Sequence, residues 1–226
     1  MEFLMPVPKS TVETSPRKLL RDVVYEKMLA ALRDGTLQHG ERLNDDELVQ
    51  WLGVSRTPIR EAIAKLVDIG LVEMEANRYT RVATPTLDDW VTATRAMVGF
   101  FELSLRWGVP EYSEDDADAL ERLLDRADGL RKVRDNGFSG AVTDIVEFAI
   151  AHSGNPLVQN AAQGALERVR FTLNPTPAFE QYGSEAFFSI LREALPERDG
   201  ETAAEAGRAL TRNFEQHIES VRAARA

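Results

Sequence analysis

Apolar residues in the first part of the chain recur at helical spacing in short blocks. Leu20, Val23, Val24, Met28, Ala31 and Leu32 form one block, which ends near Gly35. A second opens on Asn44-Asp45-Asp46-Glu47 and continues through Leu48, Val49 and Leu52. Asn44 is placed to cap this helix, Glu47 to close a capping box, and the acids favour the positive end of the helix dipole. Gly53 stops it. Ser55 caps a third helix, in which Pro58 is tolerated in the first turn and Ile59, Ala62, Ile63, Leu66 and Val67 mark the buried face. Leu71 to Met74 and Tyr79 to Val82 are short, partly alternating runs around Ala76-Asn77-Arg78. They predict a small hairpin with Asn77, a residue that tolerates positive φ, at its tip.

After Pro85 nearly everything reads as helix. Breaks are expected near Gly108-Val109-Pro110, Asn136-Gly137, Gly154-Asn155-Pro156, Asn174 to Pro177 and Pro196 to Gly200, with a closing Ala-rich helix from near Asp199. The change of character places a flexible leader at 1–16, a first domain at 17–84, a linker at 85–90 and a helical domain at 91–226. The predicted class is mainly α: a winged helix-turn-helix with a small hairpin wing, followed by an all-α bundle.

Composition narrows the picture. The 226 residues are 43% hydrophobic and 28% charged, an ordinary globular balance. Without cysteine there is no disulfide framework, thiolate metal site or Cys nucleophile. No apolar run approaches the ~18 residues of a membrane helix, and Met1 to Lys18 lacks a signal-peptide core, so a cytoplasmic location is expected. The formal net charge of −10, taken alone, argues against a nucleic-acid binder. Residues 1–85, however, carry 12 basic and 13 acidic side chains, net −1, whereas residues 86–226 carry 15 and 24, net −9. The acidity belongs to the helical part.

Helix, Gly-Val turn, helix and hairpin is the order of a winged helix-turn-helix, whose second helix enters the major groove by its N-terminal residues. Ser55, Arg56, Thr57 and Arg60 crowd that first turn and a half, away from Ile59, Ile63 and Leu66. The helix N-terminus adds free N–H groups for phosphates. Arg78 and Arg81 are placed on the hairpin to follow the backbone or the minor groove. Two arginines on an exposed helix are commonly just solvated, and Glu61 and Glu75 dilute the patch; cap, short turn, Arg-Thr-Pro and wing together carry the DNA-binding reading.

Val54-Ser55-Arg56-Thr57-Pro58-Ile59-Arg60-Glu61-Ala62, with Leu66, Gly70-Leu71-Val72 and Asn77-Arg78 before Val82, resembles the GntR family of bacterial transcription regulators. The upstream Leu43 to Leu48 stretch and the Gly40 turn fit as well. The resemblance implies that Arg56 and Arg60 contact bases or phosphates, that Ser55 and Thr57 contact phosphates, and that the wing enters the minor groove. Two positions depart from the family pattern: Asp46 stands where some members are basic, and Asn77 replaces the wing-tip glycine.

Residues 87–226 resemble the helical domain of the FadR-type (FCD) branch, through Arg95, His152-Ser153-Gly154-Asn155-Pro156-Leu157 and the closing helix. Many members hold a divalent metal there with one Asp and three His. The corresponding positions here are Val146 or Ala149, then near Phe187 and Asn213, so no metal or other cofactor is expected. Asp144, Phe148 and His152 share one helix face, with Phe in place of a ligand. The remaining readings are an apolar cavity lined by Phe100, Phe101, Trp107, Phe148, Phe171, Phe187 and Phe188, with Arg95 or Arg170 meeting an anionic head, or a domain that only dimerises. Candidate ligand residues are Arg95, Asp144, Phe148, Arg170, Phe187 and Asn213. The expected partners are a short palindromic DNA duplex, a small-molecule effector such as an organic acid or acyl compound, and a second copy of the chain, since one winged helix offers a small footprint. A winged helix that binds protein is the alternative. No Ser/His/Asp arrangement or phosphate loop suggests an enzyme.

Overall fold

The computed structural model describes residues 19–75, 78–172 and 184–223. The leader, Asn77 and the break expected at Asn174 to Pro177 lie outside them. The first domain contains α1 (Leu20–Arg33), α2 (Asp45–Leu52), α3 (Arg56–Asp68), β1 (Val72–Glu75) and β2 (Tyr79–Val82). β1 and β2 pair antiparallel, with Val72 opposite Val82 and Glu75 opposite Tyr79. Residues 40–43 run along the other edge of β2: the Gly40 and Leu43 N–H groups donate to Val82 and Thr80, and the Val82 N–H donates to Glu41. This fixes the root of the wing to the chain entering α2.

The turn between α2 and α3 follows from its sequence. Gly53 takes φ 69° and donates its N–H to the Val49 carbonyl at 3.0 Å, ending α2 in a left-handed cap. Asn44 caps α2 through the Asp46 N–H at 2.8 Å; its side chain reaches the second helical residue, and the expected box through Glu47 does not form. Ser55 occupies the cap position of α3, yet its hydroxyl makes no capping bond. Met28, Ile59, Leu66, Leu71 and Val82 are fully buried at the centre of this domain.

The second domain is α4 (Leu87–Gly108), a short 3-10 turn (Val109–Glu111), α5 (Glu114–Lys132), α6 (Phe138–Ala151), α7 (Pro156–Thr172), α8 (Glu185–Glu197) and α9 (Gly200–Ala223). The stretch 85–90 read as a linker already contains the first turn of α4. Thr86 and Asp89 form a reciprocal capping box, and Trp90 is buried. The helix therefore begins where the winged domain ends, with little free chain between. α4 and α9 pack closely because the facing residues are small: a side chain at Gly207 would press on Glu102 Cα at 3.0 Å, and one at Gly200 would strike the Arg106 carbonyl. Phe101, Leu105, Leu120, Leu124, Ile145, Phe187 and Leu191 fill the interior.

The two domains meet along α7. Phe171, expected to line a ligand cavity, instead sits in the core of the winged domain at 5% exposure, with His39 edge-on at 4.7 Å. Glu167 is buried between domains and accepts from Arg33 of α1 at 3.0 and 2.5 Å and from Gln163 at 2.9 Å. Arg168 donates to the Ile69 carbonyl at the end of α3, and its guanidinium lies where a Gly70 side chain would be. Replacing Phe171 with alanine should cost about 3 kcal/mol by cavity formation. In urea unfolding, an unchanged midpoint would show that the winged domain does not depend on this ring.

Candidate nucleic-acid interface

The apolar positions of α3 dictate its orientation. Ile59, Ala62, Ile63 and Leu66 are buried against α1 and the sheet, while Ser55, Arg56, Thr57 and Arg60 are exposed on its opposite side. Their side chains share one end of one helix, whose first N–H groups point outward. The wing brings Arg78 and Arg81 into the same domain, on the turn and on β2. Arg42, which the sequence did not single out, is exposed and bridged in register to Arg81. Only this bridge reveals it, because nothing in the local pattern around Glu41-Arg42 signals pairing with β2.

Each of the four arginines expected at DNA is held by a carboxylate of the same domain. Arg56 Nη2 donates to Asp46 at 2.5 Å, and this hydrogen bond holds its guanidinium still more firmly in the charged form. Arg60 donates through Nε and Nη2 to one oxygen of Asp45, at 2.9 and 2.7 Å. Arg78 pairs with Glu75 at 2.5 Å. Arg81 donates twice to Glu73, at 2.8 and 2.6 Å, and its guanidinium stacks over the Tyr79 ring at 4.5 Å. Such exposed pairs add little stability. They do orient the forks, and they leave the face with no net charge from these eight residues.

The residues expected around a ligand do not converge. Arg95 lies on the surface in a two-bond pair with Glu215, both at 2.7 Å. Arg170 is enclosed by Glu147 and Glu167. Asp144 pairs with Arg126 at 3.0 Å. Phe148 stacks on His152 at 4.0 Å, and His152 in turn meets the Phe148 carbonyl and lies 3.5 Å from Asp116. Phe187 packs against Phe101 and Phe188 in the core, and Trp107 is largely exposed. Helical spacing identified buried faces but not which cavity each face borders.

A cavity with about 50 Å³ of free volume does open between α4, α6, α7 and α9, lined by Trp90, Thr94, Ser139, Val142, Val169 and Phe214 among others. Among the described residues no charged side chain lines it. Two of its polar atoms, Trp90 Nε1 and Thr94 Oγ1, are buried with no hydrogen-bond partner among the described residues, as is Asn213 Nδ2 between Leu210 and Phe214 on α9. Among the described residues no group of three His, Asp or Glu side chains comes together to hold a metal.

Residues 20–82 match the model of a family described as bacterial regulatory proteins, gntR family. That match spans the winged-helix domain and stops before the helical one. The chain is 36% identical over 128 residues to the HTH-type transcriptional repressor NanR of Enterobacter sp. strain 638, covering 48% of this chain and 49% of that protein. It is 27% identical over 104 residues to the uncharacterized HTH-type transcriptional regulator YdhC of Bacillus subtilis strain 168, covering 46% of each. The chain spans about half the length of the curated relatives it matches. Over most of its length it shares a fold with E. coli McbR/YncC, with TM-score 0.66, 18% identity, and coverage of 91% of this chain and 100% of that one. A putative GntR transcriptional regulator from Rhodococcus sp. RHA1 gives TM-score 0.66 and 23% identity, with coverage of 90% and 98%.

Leaving a buried amide donor without an acceptor costs folding energy, and an apolar residue of similar size removes that cost. Asn213→Leu should therefore raise stability by about 1 kcal/mol, read as a higher urea midpoint. A lower midpoint would mean that the amide is hydrogen-bonded in the folded protein.

Proposed function

We propose that this chain is a DNA-binding transcription regulator of the GntR family, FadR (FCD) branch, acting as a homodimer in the cytoplasm and repressing transcription from a short palindromic operator. The observation that carries it is the exposed Ser55, Arg56, Thr57 and Arg60 group on the first turn and a half of α3, with the opposite side of the helix buried. Arg56 and Arg60 read base edges, Ser55 and Thr57 hold phosphates, and Asn77, Arg78 and Arg81 follow the minor groove. Repression is supported by the relatives named as repressors. No described helix is long and apolar enough to cross a membrane.

The helical domain takes a small effector between α4, α6, α7 and α9, where the cavity of about 50 Å³ must widen to admit it. With hydroxyl and indole N–H groups at its wall and no cation among the described residues, that cavity favours an uncharged or acyl-type group over a free carboxylate. Val169 lines it from α7, the helix whose Glu167, Arg168 and Phe171 hold the winged domain. A ligand that displaces Val169 thus acts on the same helix that positions α3.

The test is a duplex enriched from a random pool by the intact protein. Arg56→Ala with Arg60→Ala should weaken binding to that duplex by about a thousandfold, at about 2 kcal/mol per base-reading arginine. Unchanged affinity in a folded variant would remove α3 from the interface.

A further inference from the structure

An arginine face that serves DNA ordinarily presents uncompensated positive charge to the phosphates. This one does not. Asp45 and Asp46, the first two residues of α2, reach across the turn to Arg60 and Arg56 of α3. Both acids stand at the start of their helix, where a negative charge is favourable, so α2 itself tolerates them well. The wing repeats the arrangement with Glu75 on Arg78 and Glu73 on Arg81.

The geometry of each fork matters more than the loss of charge. Arg60 uses its Nε side and one Nη2 donor on Asp45, and Arg56 uses Nη2 on Asp46. A guanidinium has five N–H donors, so each retains a free edge. That edge can donate to the O6 and N7 acceptors of a guanine, which are neutral, while the carboxylate stays in place. A phosphate is a different competitor. To take the same arginine it must bring its charge close to the carboxylate or pull the arginine off it, and it then faces an unpaired acid.

We propose that Asp45 and Asp46 are specificity-setting residues: they orient Arg60 and Arg56 toward guanine edges and hold them against capture by phosphates, lowering affinity for DNA of arbitrary sequence more than affinity for the operator. This rests on the DNA-binding reading above and adds to it the discrimination between specific and non-specific duplex.

The experiment compares the wild-type protein with Asp46→Asn and Asp45→Asn at 0.1 M salt, on the duplex enriched by the wild type and on a scrambled duplex of equal composition. Asparagine preserves size, and thermal melts confirm folding. Removing one carboxylate frees one arginine for a phosphate. Affinity for the scrambled duplex should then rise about eightfold, with its log–log salt slope steeper by about 0.9. Affinity for the enriched duplex should rise no more than about twofold, so the specificity ratio falls. Asp118→Asn, which removes the same charge from the exposed face of α5, should leave the ratio unmoved. A wild-type protein that enriches a duplex, with a ratio that Asp45→Asn and Asp46→Asn do not change, overturns this inference and leaves the DNA-binding reading standing. If neither the wild type nor the Asp45→Asn/Asp46→Asn double variant retains any duplex, both are overturned. If only the double variant retains DNA, the restraint by the two acids is supported directly.

Discussion

The last two turns of α7 hold the molecule together as one working object. Glu167 is buried with Arg33 of the first domain on one side and Arg170 on the other, Arg168 caps the carbonyl end of α3, and Phe171 completes the core of the winged domain. A buried carboxylate without partners would be strongly disfavoured. Arg33 lies on α1 and Arg170 on α7 itself, so the domain arrangement is conditional on α1 and α7 being in place together. A cation at the C-terminal end of α3 also sits at the negative end of that helix dipole. The helix expected to read DNA is thus gripped at its far end by the domain expected to sense a ligand.

Charge is partitioned along the same line. The net −10 of the chain is almost wholly a property of the helical bundle, and the winged domain is nearly neutral. Within that domain the arginines of α3 and the wing are balanced locally by acids of α2 and the wing. Under the proposed function, long-range attraction to a polyanion is weak, and binding would come from short-range complementarity to base edges. An acidic bundle beside such a face is tolerable because α7 holds it on the side of the winged domain away from the N-terminal end of α3.

The winged domain was legible in the sequence because its signals are local. Leu48, Ile59, Ile63 and Leu66 fall at helical spacing, Gly53 ends one helix, and the Tyr79 to Val82 run pairs with its neighbour across a short turn. What was not legible depends on contacts between distant segments. The bridge at residues 40–43 is defined only by its hydrogen bonds to β2, and Asp45 and Asp46 read as dipole-favouring acids until α3 is packed beside them. The separate surroundings of the ligand candidates were hidden for the same reason. Phe171 and Phe187 have the periodicity of buried residues, but periodicity does not say that one enters the other domain's core and the other packs on Phe101. Arg95 and Arg170 were plausible anion binders by chemistry, but Arg95 is taken by Glu215, remote in sequence, and Arg170 by Glu147 of the preceding helix and Glu167 one turn away.

The central claim is that the exposed N-terminal end of α3, oriented by its buried face, is the surface that meets DNA. The most direct test is amide NMR of the isotope-labelled protein titrated with the duplex that it enriches. The account predicts perturbations concentrated at Ser55 to Arg60 and at Tyr79 to Val82, with little change along α5. Perturbations confined to the helical bundle, with Ser55 to Arg60 unmoved, would contradict it.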